Sequence, residues 1–373
     1  MTRNEVTQEI LSIKSHNLLL EIPTGFGKSK IALDIIKQTY NPKSSFKILI
    51  VVPKNVLKEN WKDEFTKWDM TTHYPKVTFT TYVSLPKYAG KWDMVIWDEC
   101  HHITERCKEA LSSFTINRNI LLSATVKRTT KQDFKSVFSN LYTYKINIRE
   151  AIDNEVLPDP KVILYPLTLD DSQYTEIVTD KKTKNTLYLT QRGYYNNISR
   201  LIDWYKKKAL GGNQALKRIW LHKAGERLKW LSSKKTKVVT NILEKLEDYR
   251  TLTFCSSIKQ AELLGKYHIH SQNKNSEKTL TQFNNGKINH ITCVAILDEG
   301  VNLTNCQIGI YANLNSSQRI VKQRLGRILR HKNPIIIIPF YLHTRDEEIV
   351  KEMLEDYNPK LVSVAHNIHS IKI

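Results

Sequence analysis

No C-x-x-C pair occurs among the five cysteines of this 373-residue chain, Cys100, Cys107, Cys255, Cys293 and Cys306. Their odd number and scatter argue against a disulfide framework and point to a reducing compartment. Cys100, His101, His102 and Cys107 crowd together, but their spacing matches no usual zinc pattern. Long apolar runs are lacking too. The longest, Ile335 to Ile338 continuing to Leu342, is the length of a strand, and the start Met1-Thr2-Arg3-Asn4-Glu5 is polar. This argues against a membrane span and a secretory leader, so a cytoplasmic setting is expected. Acidic residues are scarce, 37 against 57 lysines and arginines, which gives a net charge of +20 and a pI near 9.5. With no basic amphipathic anchor in the chain, that excess favours nucleic acid over membrane as the partner. The sequence holds no internal repeat and no low-complexity tract. Its length is too great for one ordinary core and suits two α/β lobes plus something smaller.

What is present centres on Ile22-Pro23-Thr24-Gly25-Phe26-Gly27-Lys28-Ser29. The apolar Leu18-Leu19-Leu20 precedes it and the helical pattern Ile31-Ala32-Leu33-Asp34-Ile35-Ile36 follows, so it reads as strand, tight loop and helix. Gly25 and Gly27 let backbone N–H groups close around a phosphate, Lys28 supplies charge to the β- and γ-phosphates, and Ser29 offers a hydroxyl to Mg2+. The string departs from G-x-x-x-x-G-K-[ST], because Ile22 stands where the first glycine belongs. Residues 6–15 read as a short helix ahead of the first strand. Gln8 on it could pair with an adenine, or be an ordinary exposed glutamine. Residues 47–52 form a continuous apolar run of the parallel-sheet kind. Lys54 and Asn55 at its carboxyl end, with Thr81 closing the next strand, are candidate nucleic-acid contacts.

A second centre is Asp93-Met94-Val95-Ile96-Trp97-Asp98-Glu99-Cys100-His101. An apolar strand that delivers two adjacent carboxylates to its end is what hydrolysis of a magnesium nucleotide needs: Asp98 for the metal and Glu99 for the attacking water. Such an acidic strand end is commonly only a helix cap, but the P-loop upstream makes the chemical use the sharper one. Another buried strand ends in Ser123-Ala124-Thr125, two hydroxyls at the same sheet edge.

These strings, Pro-Thr-Gly-Phe-Gly-Lys-Ser, Asp-Glu-Cys-His and Ser-Ala-Thr, resemble motifs I, II and III of superfamily 2 helicases of the DExH type. Residues 251–257 resemble motif IV, 297–303 motif V and 323–330 motif VI, in the expected order. The resemblance implies two RecA-like lobes with parallel sheets, ATP and Mg2+ in the cleft, and nucleic acid across both. It further implies that Arg327 and Arg330 are arginine fingers, that Gln323 meets the γ-phosphate region, and that Gly300 and Asn302 lie near Mg2+ or ribose. Ser256 in the motif IV string joins the nucleic-acid candidates. Independently, Arg324, Arg327 and Arg330 recur every three residues, which gathers cations on one helix face, whether for phosphate or for solvent.

Between the lobes, from 181 to 240, the acidic residues are Asp203 and Glu226 alone, against a run of cations that includes Lys206, Lys207 and Lys208. Tyr188, Tyr194, Tyr195, Trp204, Tyr205, Trp220 and Trp230 are interleaved. Cations neutralise phosphates and aromatic faces stack on bases. Leu201, Ile202, Leu210, Leu216, Ile219 and Leu228 are spaced as helix cores, so several aromatics are expected to be buried. Gly211-Gly212 divides the helical region, and 153–169, with three prolines, reads as an extended linker. The expected division is 1–150 for the first lobe, 151–237 for the linker and basic helical insertion, and 238–373 for the second lobe. The tail from 358 carries no legible motif.

The favoured function is an ATP-driven helicase or translocase. The alternatives are an RNA helicase, a nucleic-acid clamp gated by ATP without unwinding, or an unrelated P-loop kinase or transporter ATPase. Neither of the last two accounts for 323–330 or the basic segment. The strings Asp-Glu-Cys-His-His and Glu-Gly-Val-Asn-Leu resemble DNA translocases, including phage branch-migration helicases and Swi/Snf-type remodellers, more than DEAD-box RNA helicases. DNA is therefore expected over RNA, with partner proteins supplying specificity. Little precedes the P-loop, as in a stripped motor that a virus or mobile element encodes, which sets the expected compartment as a bacterial or phage-infected cytoplasm.

Overall fold

The protein is described from a computed structural model, which covers every residue except Met1, 180–183, 295–302, Ser316 and Asp356, and the side chains of Gln318, Arg319, Lys322 and Gln323. Two compact units emerge. The first runs to Pro158 and also takes in Lys322–Arg330; the second holds most of the remainder from Asp159 onward.

The first unit begins with α1 (Arg3–Ser12), capped by Thr2 and Glu5 in a reciprocal box, then β1 (Asn17–Glu21) and α2 (Lys28–Thr39). It continues with β2 (Ile48–Val52), α3 (Val56–Lys67), β3 (Val77–Thr81), β4 (Gly90–Trp97), α4 (Glu105–Ala110), β5 (Phe114–Ser123), α5 (Arg128–Val137), β6 (Tyr142–Lys145) and α6 (Ile148–Asp153). The sheet order is β3-β2-β4-β5-β1-β6, all parallel. Helices cover both faces of such a sheet, which is why β2 reads Ile-Leu-Ile-Val-Val with every side chain buried. Each of these side chains contributes roughly 1.5–3 kcal/mol.

The second unit contains β7 (Lys161–Leu167), the hairpin β8 (Glu176–Thr179) and β9 (Thr186–Leu189), and the long helices α7 (Gln191–Ala209) and α8 (Gln214–Lys234). Then come α9 (Thr236–Lys245), β10 (Thr251–Phe254), α10 (Ile258–Leu264), β11 (His268–Ile269), α11 (Ser276–Asn284), β12 (His290–Cys293) and β13 (Ile308–Ile310). α12 (Gln318–Ile328), β14 (Ile335–Tyr341), α13 (Arg345–Leu354) and β15 (Val362–Val364) complete the chain. The parallel order is β11-β12-β10-β13-β14-β7-β15. Val239, Ile242, Leu243 and Leu246 of α9 and its end pack on Ile308, Ile310, Ile335 and Ile337 to form its core.

The linker expectation is corrected, and the tail from 358, which carries no legible motif, proves to have a structural part. Of the expected linker, 161–167 is β7, paired over seven positions with β14 and over three with β15, so the second sheet begins well before residue 238, and of that linker only the stretch between α6 and β7 runs between the units. The tail likewise supplies β15. Pro166 is tolerated because β15 pairs only 162–164, so the missing N–H lies past its reach. The basic segment is, as expected, two helices broken at the glycine pair, with Gly212 at φ 86°, but Leu201, Leu210 and Ile219, expected in the helix cores, are exposed. Tyr195 is buried against Leu231, whereas Tyr188 and Trp204 are exposed.

Candidate active site

Three neighbouring strands, β4, β5 and β1, end at one edge of the first sheet. The registers Glu21↔Ser123 and Trp97↔Leu121 put the loop after β1, the Asp98-Glu99 bend and Ser123 side by side there. That carboxyl edge is where open α/β sheets bind ligands. The loop turns on Gly25 and Gly27, with φ of 93° and 104°, in a region that side chains with a Cβ avoid. Gly27 is the N-cap of α2, so the first N–H groups of that helix face the loop. Thr24 and Ser29 flank it, both half-buried.

Lys28 Nζ donates to Ile22 O at 3.2 Å. Burial lowers its pKa; the Glu99 and Asp98 carboxylates oppose that, and Arg327 and Arg330 reinforce it. Charges from motifs far apart in the chain thus act on one ammonium group.

Asp98 is held from several sides. Its N–H donates to Val51 O at 2.9 Å, its carbonyl accepts from Tyr82 Oη at 2.8 Å, and its Oδ2 accepts from Trp61 Nε1 at 3.0 Å. Desolvation, and then the Glu99 charge, push its carboxyl up to about 6, against the pull of Trp61 and Lys28. Glu99 lies in the left-handed region at φ 48°, ψ 56°, a conformation that costs a residue of its kind roughly 1–3 kcal/mol. His101 Nδ1 is 3.1 Å from Ser123 Oγ and 3.5 Å from Glu99 Oε2. The Ser123 hydroxyl proton is used toward Thr125 O at 3.0 Å, so His101 donates through Nδ1–H.

Thr24 Oγ1, Thr125 Oγ1 and Glu99 Oε2 are buried without a hydrogen bond in the protein. Polar atoms of this kind, around a glycine loop and a carboxylate pair, fit a nucleotide and a hard cation.

α12 meets the loop through its backbone. A Cβ on Gly326 would stand 2.5 Å from Thr24 Cβ and 2.7 Å from Thr24 O, so only glycine permits the approach. Arg324 and Arg327 are buried, while Arg330 at the end of the stripe is exposed.

Other expected residues fall as follows. Gln8 is exposed on α1, and Lys54 and Asn55 are exposed after β2. Thr81 departs from its expected role: it is buried, and its hydroxyl donates to Ser84 Oγ at 3.3 Å. Ser256 donates through N–H and hydroxyl to Gln260 Oε1 at 3.0 and 3.1 Å. Lys206, Lys207 and Lys208 are exposed on the last turn of α7, with Lys206 Nζ 5.9 Å from the Trp220 ring centroid. Gly300, Asn302 and the Gln323 side chain lie outside the described residues. Sequence reasoning missed Trp61 and Tyr82 as supports of Asp98. The available signal was that a buried Trp or Tyr needs a partner for its N–H or O–H.

Comparison with known proteins gives a consistent result. Residues 3–128 match the family of the type III restriction enzyme res subunit, and 234–332 match the helicase conserved C-terminal domain. A DNA 3'-5' translocase XPB2 from Sulfurisphaera tokodaii is 22% identical over 86% of this chain and 76% of its own length. A putative DNA 3'-5' helicase Rad25 from Halobacterium salinarum is 23% identical over 87% of this chain, which spans about half, 51%, of that relative. Among solved structures, S. cerevisiae Dbp5 bound to RNA and ADP BeF3 shares the fold with a TM-score of 0.64 at 12% identity, covering 98% of this chain and 89% of that one. Among the described residues no helix is long and apolar enough to cross a membrane.

Proposed function

We propose, for a chain that belongs to the superfamily 2 helicases, an ATP-driven motor that tracks along DNA in the 3'-to-5' direction. The observation that carries this reading is the meeting at one sheet edge of the glycine loop after β1, the Asp98-Glu99 pair and the backbone of α12 at Gly326, which packs on Thr24. Phosphoryl transfer to water needs cations at the phosphate oxygens and a group that positions the water, with little covalent work beyond that. In this reading Thr24, Gly25, Gly27 and Lys28 cradle the phosphates, Gln8 reaches the base, and Glu99, whose Oε2 makes no hydrogen bond, orients the attacking water. Arg327 and Arg330 neutralise charge as the bond to the γ-phosphate breaks, with Gln323, Gly300 and Asn302 completing the site. Ser29 and Asp98 would hold Mg2+, which when bound offsets negative charge on the β- and γ-phosphates.

DNA and the direction of travel are supported by the names of the two curated relatives. Lys54 and Asn55 on the first unit and Lys206, Lys207 and Lys208 on the helical pair are the proposed phosphate contacts, with Trp204 and Tyr188 as exposed stacking faces. An RNA helicase has support at the level of fold alone. The test is ATPase stimulation by single-stranded, duplex and forked DNA and by RNA. DNA should stimulate and RNA should not. Equal stimulation by RNA would favour the RNA reading, and no stimulation by either would remove the motor.

A further inference from the structure

Away from the nucleotide chemistry, one cluster in the second unit joins three metal-ligating side chains from two elements. Glu262 lies on α10, His268 on β11 and His270 just beyond it, and one ligand atom from each lies within 4.8 Å of the others. β11 is the edge strand, so alternation along it turns positions 268 and 270 to one face. The two imidazoles stack there, with centroids 4.9 Å apart and planes 12° apart.

A stacked histidine pair beside a carboxylate is ordinarily a hydrogen-bonded core cluster. His270 departs from that: its side chain is 4% exposed and neither ring nitrogen makes a hydrogen bond. The nearest carboxylate oxygen, Glu262 Oε1, is 3.7 Å from Nε2, beyond hydrogen-bond reach. Buried polar atoms of this kind call for a partner, and a metal ion is one that accepts an imidazole lone pair. Asn273 Nδ2 donates to His268 O at 2.6 Å and lies 3.3 Å from His268 Nδ1, which ties the loop after β11 to the backbone that carries the ring.

We propose that Glu262, His268 and His270 form a binding site for a divalent transition-metal ion, zinc by its ligand set, that ties α10 to the edge strand. Two imidazoles and one carboxylate make a three-ligand zinc set with an open fourth position, and they offer too few oxygens for calcium or magnesium. Bonds of about 2.0–2.2 Å require the donors to draw together, and Glu262, with half its side chain exposed, is the arm that can move. α10 follows directly on Ser256 and Ser257, so occupancy would stiffen the element behind the motif IV strand.

The test is Co2+ titration of the metal-stripped full chain, read by visible absorption, with Zn2+ competition and thermal midpoints. The intact protein should bind one Co2+ with an absorption band that Zn2+ bleaches, and Zn2+ should raise its thermal midpoint. Glu262→Gln, at an exposed position, and His268→Ala should each weaken Co2+ binding by more than about tenfold. Asp98→Asn should retain the signal, which separates this site from the nucleotide carboxylates. Absence of the band in the intact chain, or an unchanged band and affinity in both variants, would overturn the proposal.

Discussion

Two buried carboxylate sites in this molecule are solved in opposite ways. At the junction of α8 and α9, Lys235 and Asp346 face each other at 2.7 Å with side chains 0% and 1% exposed. Burial lowers the Lys235 pKa and Asp346 opposes the shift. One turn earlier, the Ser232 hydroxyl lies 2.8 Å from Gln260 Oε1 and 3.0 Å from Ala312 O, and gives its single proton to one of them. At the edge of the first sheet, Asp98 is instead raised to about 6, and Glu99 Oε2 has no hydrogen bond. A buried charge that faces one opposite charge at ion-pair distance, as Lys235 faces Asp346, is architecture. One left under-compensated, beside a glycine loop and two arginines, is held ready for charge from outside the chain.

The largest effect should come from breaking the open site. Arg327→Ala should lower ATP turnover by about 10³-fold or more, and Glu99→Gln should stop hydrolysis while nucleotide still binds; equilibrium binding and steady-state ATPase on the same samples check both. Gly326→Ala should lower turnover as well, since its Cβ meets Thr24.

Next comes the closed site. Asp346→Ala leaves Lys235 buried and alone, and should cost about 3–5 kcal/mol in chemical denaturation, whereas Lys235→Met with Asp346→Leu should fall near wild type. Equal losses in the single and double variants would put the contribution in packing rather than charge.

A smaller change should have the opposite sign. The folded pKa of Asp98 lies above the unfolded value of 3.8, so its ionisation favours the unfolded chain at neutral pH. That penalty is present above about 6 and fades as pH falls toward 4. Asp98→Asn should therefore raise stability at pH 7, by on the order of 1–2 kcal/mol, while abolishing ATPase. Because the carboxylate is the active form, wild-type kcat/KM should decline as pH drops through about 6.

The smallest effect sharpens the contrast from outside. Lys206, Lys207 and Lys208 are exposed, so their reversal to Glu should spare stability and basal ATPase yet weaken DNA binding by about tenfold at low salt, with a shallower salt slope.

The open site was legible in the sequence because its chemistry is local: Gly25, Gly27, Lys28 and the Asp98-Glu99 pair follow apolar strands directly. Its supports were not, since Trp61 and Tyr82 reach Asp98 from other elements. Arg324, Arg327 and Arg330 were legible as a stripe, but not that burial would divide it. The closed site was invisible, because nothing local marks Lys235 among its neighbouring lysines as the one that meets a carboxylate 111 positions away. β7 was hidden because Pro158 and Pro160 stand just ahead of it and Pro166 within it, where its cost depends on which neighbour reaches that position.

The placement of β7 also bears on how the chain can be cut. A fragment starting at residue 238 would keep β14 and its pairing with β13 but remove β7 along the whole length from Ile335 to Tyr341, and β15 would lose its only pairing among the described residues. An apolar edge seven residues long would then be open to other chains, so such a fragment should self-associate where one starting near Asp159 stays dispersed.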